Sequence, residues 1–230
     1  TNNAELVANK VNIWTANSSE ENMKPKGLEA GDLGPVYGFQ WRHFGADYKD
    51  RYTNYDGMGI DQLVEAIIKV DTTPSSRQNI VSAWNPMQIG IMALPPCHFA
   101  FQLIVSDNKL DCILYQRSGD IGLGIPFNIT SYALLTYIIA GICGYEVGTL
   151  VHFIGDAHIY ENHIDALKEQ ITRQPFKKPT LNLKNTPQGY IIDPENENCA
   201  LKEYLGGLKT SDFELVGYEH HPPVKMSMAV

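Results

Sequence analysis

The stretch Ala93-Leu94-Pro95-Pro96-Cys97-His98-Phe99-Ala100-Phe101-Gln102 decides how the rest of the chain is read. Two prolines fix φ and remove two backbone donors, so regular structure halts there and a cysteine is delivered at the mouth of an apolar run. Phe99, Phe101 and Leu103 alternate with smaller or polar residues, and the run continues through Ile104 and Val105, the period-two pattern of a strand. Ser106-Asp107-Asn108-Lys109 supplies turn residues and Leu110 to Ser118 alternates again, which predicts a hairpin. Taken alone, Cys97 has two readings, a packed inert thiol or a group placed for chemistry.

Composition narrows the classes. The 230 residues with 43% hydrophobic content suffice for one substantial core, and neither repeats nor a linker divide them, so a single domain 1–230 is expected. A net charge of −8 and a pI near 5.3 argue against a general nucleic-acid or membrane-surface binder, so an anionic ligand must meet locally placed arginines. Cys97, Cys112, Cys143 and Cys199 show no paired spacing, which suggests neither a metal site nor a disulfide framework and points to a reducing, cytoplasmic compartment. The amino terminus carries no signal-peptide pattern. Ile125 to Cys143 is the most apolar segment; Pro126, Asn128, Thr130, Ser131 and Gly141 interrupt it, so a buried helix is expected in place of a membrane span.

Downstream of the hairpin, Tyr115-Gln-Arg117-Ser118-Gly119-Asp120-Ile-Gly-Leu123-Gly124-Ile-Pro-Phe127-Asn128 leaves a strand end, crosses a glycine-rich bend and enters that helix. Arginine, serine and helix-start N–H groups suit an anion, while Asn128 reads equally as helix cap or ligand contact. Val147 to Ile154 reads as a strand, after which His158 and Tyr160, two apart, would point the same way as donors to a ligand. No third ligand at recognisable spacing makes them a metal pair. A helix over 164–173 and a loop-like tail follow, with His220-His221 read as surface residues.

Upstream, residues 1–14 carry a short helical pattern and Thr15 to Lys26 reads as a polar surface loop. Gly31 to Gly45 mixes glycine with aromatics, and Tyr37 there could offer a hydroxyl in an apolar wall. Ile60, Leu63, Val64, Ile67 and Ile68 form an amphipathic helical stripe closed by Pro74. Arg77 and Gln78 lie in a polar bend before a strand read over Ile80–Trp84.

In their order along the chain, Ile13-Trp14, Gly31-Asp-Leu-Gly-Pro-Val-Tyr-Gly-Phe-Gln-Trp41, Ser82-Ala-Trp-Asn-Pro86, Met92-Ala-Leu-Pro-Pro-Cys-His98, Gln116-Arg-Ser118, Pro126-Phe-Asn-Ile129, Gly155-Asp-Ala-His-Ile-Tyr160 and Met228-Ala-Val230 resemble the thymidylate synthase family over nearly the whole sequence. The resemblance implies an α/β (α+β) enzyme on a large mixed sheet with flanking helices, two sheets packing back to back in a homodimer. It implies reductive methylation of dUMP to dTMP, with 5,10-methylenetetrahydrofolate as one-carbon and hydride donor and no metal. Cys97 stands at its nucleophile position, with Tyr37, His98, Asn128 and Asp120 in the catalytic surroundings. Arg117, Ser118, Gly119, Asp120, Asn128, His158 and Tyr160 match its nucleotide contacts, Arg77 and Gln78 being donated across the dimer. Ile13, Trp14, Leu94, Asp120, Leu123, Gly124, Phe127 and Ala229 match its folate site, with Val230 closing over it.

Two departures accompany the match. Arg77-Gln78 replaces an arginine pair, removing one fixed charge, and the family pattern places a glutamate-bearing helix and a further phosphate arginine before Thr1. A dihydrofolate reductase fused upstream is compatible with the sequence. The rival readings are a catalytically silent binding or dimerisation protein and a dCMP hydroxymethylase, which would carry an acidic residue at Asn128. A papain-like Cys97–His98 dyad is opposed by strand geometry, since neighbours point to opposite faces.

Overall fold

The computed structural model describes residues 2–184 and 197–228. Its helices are α1 (Asn3–Ala8), α2 (Glu20–Met23), α3 (Tyr37–His43), α4 (Gln62–Thr72), α5 (Gly124–Cys143), α6 (Ile164–Gln170) and α7 (Glu197–Gly207). Its strands are β1 (Ile80–Ser82), β2 (His98–Ser106), β3 (Lys109–Asp120), β4 (Glu146–His158), β5 (Thr180–Leu183) and β6 (Phe213–Val216). β1-β2-β3-β4 form a mixed sheet, antiparallel except for the parallel β3–β4 pair, and β5 and β6 make a separate antiparallel ribbon.

The hairpin forms where the alternation placed it. Ser106 pairs with Lys109, and Asp107 and Asn108 take positive φ of 50° and 60°, the two-residue turn whose twist matches the strands. One feature of β2 departs from the reading. Its pairing shifts between His98 and Ala100, a bulge that inserts Phe99. Phe101 and Leu103 therefore stay fully buried, whereas Phe99 lies against Trp84 and Tyr115 on the opposite face.

Helices α4 and α5 cover one sheet face. Leu63, Val64, Ile67 and Val70 of α4 and Tyr132, Ile139 and Ile142 of α5 pack with Val81, Phe101, Leu103, Leu110, Cys112 and Leu114 in one core, joined by Leu201 of α7. The opposite face leaves Ile80, Val151 and Phe153 exposed, at 51%, 38% and 56%. Only one side of α5 is buried, and by length and composition α5 does reach what a membrane crossing requires, because its few hydroxyl and amide groups barely dilute it. Asp61 caps α4 through the Val64 N–H and holds Arg42 at 2.9 Å.

Other boundaries moved for tertiary reasons. The polar stretch 15–26 contains α2 and buries Ser18 and Met23, and Lys26 donates to the Met92 carbonyl, so this stretch braces the segment leading to Cys97. Gly34, at φ +71°, lets the chain press on Ile91: an added Cβ would stand 2.2 Å from the Ile91 carbonyl oxygen. The strand at residue 80 ends at Ser82, β4 runs on to His158, α6 stops at Gln170, and the tail region holds β5, α7 and β6.

Phe101→Ala should cost about 3–5 kcal/mol, because its side chain is wholly enclosed between α5 and the sheet. Denaturant unfolding of the purified variant measures this; a loss below about 1 kcal/mol would mean that this core does not carry the sheet.

Candidate active site

Arg117 organises the site. Its backbone N–H donates to the Cys97 carbonyl at 2.8 Å, its Nε to the Pro96 carbonyl at 3.0 Å and its Nη2 to the Pro95 carbonyl at 2.9 Å. The same Nη2 lies 3.7 Å from Cys97 Sγ, so a fixed positive charge faces a half-buried thiol. The guanidinium also sits over the Trp84 ring, 5.9 Å from its centroid.

Tyr37, at the start of α3, accepts the Cys97 N–H through its hydroxyl at 2.9 Å, and burial raises that phenol's pKa. The Tyr37 ring stacks on His98 at 3.9 Å, and His98 Nδ1 stands 2.8 Å from the Tyr132 hydroxyl. Burial lowers the His98 pKa to about 4, with a smaller push from His152. His98 thus turns inward as a neutral ring instead of forming a dyad with Cys97, as the strand geometry required.

A second chain of contacts fixes Asn128. Gln116 Nε2 lies 2.9 Å from the Ser118 carbonyl, which can only accept, so this amide nitrogen is oriented unambiguously. It also donates to Asn128 Oδ1 at 3.0 Å, while Gln116 Oε1 accepts from His152 Nε2 at 2.8 Å. The Asn128 amide is thereby oriented, and among the described residues no hydrogen bond engages its Nδ2 hydrogens. Asn128 is not the cap of α5, which begins at Gly124. The capping work falls to Asp120, whose carboxylate accepts from the N–H groups of Gly122, Leu123 and Gly124 at 3.0, 3.2 and 3.3 Å. Those N–H groups, expected to attract a bound anion, are therefore occupied by the chain's own carboxylate.

Around this centre, Ser118, Gly119 and Asp120 continue β3, with Asp120 paired opposite His158. Tyr160 lies just past β4, yet its ring meets His158 edge-on at 5.1 Å, so the two do converge. Trp14 packs edge-on to Tyr37 at 6.2 Å; Ile13, Leu94 and Phe127 stay exposed and Leu123 half-buried. Arg77 and Gln78 stand exposed before β1, and no hydrogen bond or ion pair among the described residues links their side chains to the Cys97 cluster. Ala229 and Val230 lie outside the described residues. Among the described residues no cluster of three metal-ligating side chains occurs. His152 and Tyr132 gave no sequence signal of a role, and Gln116 and Trp84 stood only inside the matching blocks, since the contacts to Asn128, Gln116, Arg117 and His98 each span at least 12 positions.

A family model described as thymidylate synthase matches residues 1–230. The chain belongs to the thymidylate synthase family. It is 48% identical over 233 aligned positions to the thymidylate synthase of Homo sapiens, covering 100% of this chain and 70% of that protein. It is 47% identical over 231 positions to "Thymidylate synthase 1/2" of Encephalitozoon cuniculi (strain GB-M1), at 100% and 74% coverage. It is also 48% identical over 233 positions to the bifunctional dihydrofolate reductase-thymidylate synthase of Leishmania major, covering 99% of this chain and 42% of that protein. Membership in the thymidylate synthase family carries a methyltransferase of dTMP biosynthesis that uses dUMP and a folate, and it favours this reading over the silent-protein and dCMP hydroxymethylase alternatives.

The neutral His98 has a consequence in acid. Its folded pKa near 4 lies below the usual value near 6.5, so the unfolded chain binds the proton first and stability falls as pH drops from about 6.5 to 4, by up to about 3 kcal/mol. His98→Gln should flatten that part of a stability-versus-pH curve; an unchanged slope would show that His98 is not the group responsible.

Proposed function

We propose that Cys97 is the nucleophile of a thymidylate synthase reaction, its thiolate adding to carbon 6 of the dUMP pyrimidine. The observation that carries this reading is the Arg117 guanidinium, a fixed positive charge 3.7 Å from the sulfur, with the Tyr37 hydroxyl fixing the Cys97 backbone. Bonding at carbon 6 moves the electron pair of the ring double bond to carbon 5, making that carbon nucleophilic. 5,10-Methylenetetrahydrofolate supplies the one-carbon unit and then the hydride when bound. Carbon 5 loses its proton, and expulsion of the Cys97 sulfur restores the ring double bond, giving dTMP and dihydrofolate.

The remaining roles follow the chemistry of each side chain. Asn128, its amide held by Gln116, reads the uracil edge; His158 and Tyr160 meet the sugar hydroxyl; Ser118 and the free side of Arg117 meet the phosphate, while Gly119, where a Cβ would stand 2.6 Å from Ile125, lets α5 pack against the end of β3. Tyr37 and His98 shape the proton-handling side. The folate would meet apolar groups that the fold leaves at least partly accessible, Ile13, Leu94 and Phe127 with Trp14 and Leu123, together with Asp120 and Gly124. We also propose one domain working as a homodimer in the cytoplasm. The uncovered sheet face with Ile80, Tyr115, Val151 and Phe153 would pack back to back, with Arg77 and Gln78 reaching the partner's phosphate. A reducing compartment keeps the Cys97 thiol available.

Full-length protein given dUMP tritiated at carbon 5 and methylenetetrahydrofolate should release tritium to water, and Cys97→Ala should lower that rate by about four orders of magnitude with dUMP still bound. Release that persists in Cys97→Ala would reject the nucleophile. Asn128→Asp should move the preference between dUMP and dCMP toward the cytosine nucleotide, measured as a ratio of kcat/KM; an unmoved ratio would remove Asn128 from base reading.

A further inference from the structure

Away from the thiol, three segments distant in sequence meet on one buried imidazole. His163, with no exposed surface, ends the short turn Glu161–His163. Its Nε2 stands 2.6 Å from the Ser227 carbonyl, so that nitrogen carries a hydrogen and donates it; Asn162 Nδ2 donates to the same oxygen at 3.1 Å. Its Nδ1 has no hydrogen-bond partner among the described residues and faces Asp120 Oδ1 at 3.6 Å. Further back, Arg173 donates to the Pro222 carbonyl at 2.6 Å and His221 to the Gln174 carbonyl at 2.8 Å, so residues 221–227 lie as a strap tied at both ends. His221 is thus an anchor, not a loose surface residue.

The loop after β3 reaches this junction because residue 122 lacks a side chain. A Cβ on Gly122 would stand 2.6 Å from His163 Nδ1 and 3.2 Å from the Met226 sulfur. Most buried side-chain nitrogens have a hydrogen-bond partner, and one that lacks it calls for an explanation. Here one nitrogen is committed to the strap and the other waits just beyond hydrogen-bond range of Asp120, a gap that a shift of about half an ångström would close.

We propose that His163 is a positioning residue that couples the seat of the C-terminal strap to the Asp120 carboxylate, so that the folate side of the site and the strap adjust together while the nucleotide side does not. The proposal rests on the reading of Asp120 as a folate contact. Its physical content is reciprocity: a ligand that draws on Asp120 changes what His163 can offer Ser227, and the strap changes Asp120 through the same ring.

The test uses the full-length protein, its His163→Phe, His163→Gln and Gly122→Ala variants, and three readouts. These are the rate at which carboxypeptidase releases C-terminal residues, the KM for methylenetetrahydrofolate, and the Kd for dUMP. His163→Phe should speed tail release about tenfold and raise the folate KM about fivefold or more, with dUMP Kd held within about twofold. His163→Gln, which places a donor near the former Nε2, should restore most of the tail protection, and Gly122→Ala should resemble His163→Phe by crowding the ring. Folate KM and dUMP Kd rising in parallel would show a general loss of structure and overturn the coupling, as would faster tail release with an unchanged folate KM. If His163→Phe does not fold, the Gly122→Ala and His163→Gln pair decides by the same criteria. A wild-type protein that neither binds nor turns over the folate would instead sink the reading of the site, and tail release, which needs no turnover, tells the two failures apart.

Discussion

An Xaa-Pro-Pro turn has carbonyls that point away from any strand ladder, and Arg117 is what satisfies them. Its side chain takes the carbonyls of Pro95 and Pro96 while its backbone takes that of Cys97, so the turn is fastened to β3 at three places. The guanidinium that does this is also the charge beside the sulfur. Holding the loop and placing a fixed positive charge beside the Cys97 thiol are therefore one interaction. The bulge at Phe99 completes the arrangement by turning His98 toward Tyr132 in the core while Cys97 stays half-buried at the strand's mouth.

Polarity around Asn128 follows from a comparably simple rule. A backbone carbonyl can only accept, so the Ser118 carbonyl fixes Gln116, Gln116 fixes Asn128, and His152 closes the far end of the chain. The parallel β3–β4 pairing brings Gln116 beside Ile154 and Asp120 beside His158, which is how groups from two strands come to lie together. Asp120 spends much of its acceptor capacity on the start of α5, so the helix and the candidate folate contact share a carboxylate.

What the sequence made legible is what short-range physics determines. The Asp107-Asn108 hairpin, the Leu63, Val64, Ile67 and Ile68 stripe of α4 and the apolar α5 follow from local pattern, although Ile60, read as part of that stripe, lies before the helix and bridges Phe44, and the ordered blocks around Cys97, Arg117 and Asn128 identified the family. The Phe99 bulge was not legible, because alternation cannot show where a partner strand slips by one residue. Nor was the capping of α5, since Asn128 and Asp120 are both competent caps and the choice depends on how the glycine-rich bend closes. The roles of His152 and His163 depend on contacts 36 and 64 positions away, and nothing in their neighbouring residues announces them. The stretch 15–26 read as surface because its polar residues outnumber Met23, its buried apolar side chain.

The central claim is a covalent bond between Cys97 and carbon 6 of the pyrimidine, and mass mapping of a stalled complex tests it most directly. A dUMP analogue carrying fluorine at carbon 5 has no proton to lose there, so with methylenetetrahydrofolate the reaction should halt with the nucleotide attached to the enzyme. The account predicts that proteolysis then yields the added mass on the peptide containing Cys97 alone. Mass found on a peptide bearing Cys112 or Cys143, or no adduct on a folded protein that binds the nucleotide, would contradict it.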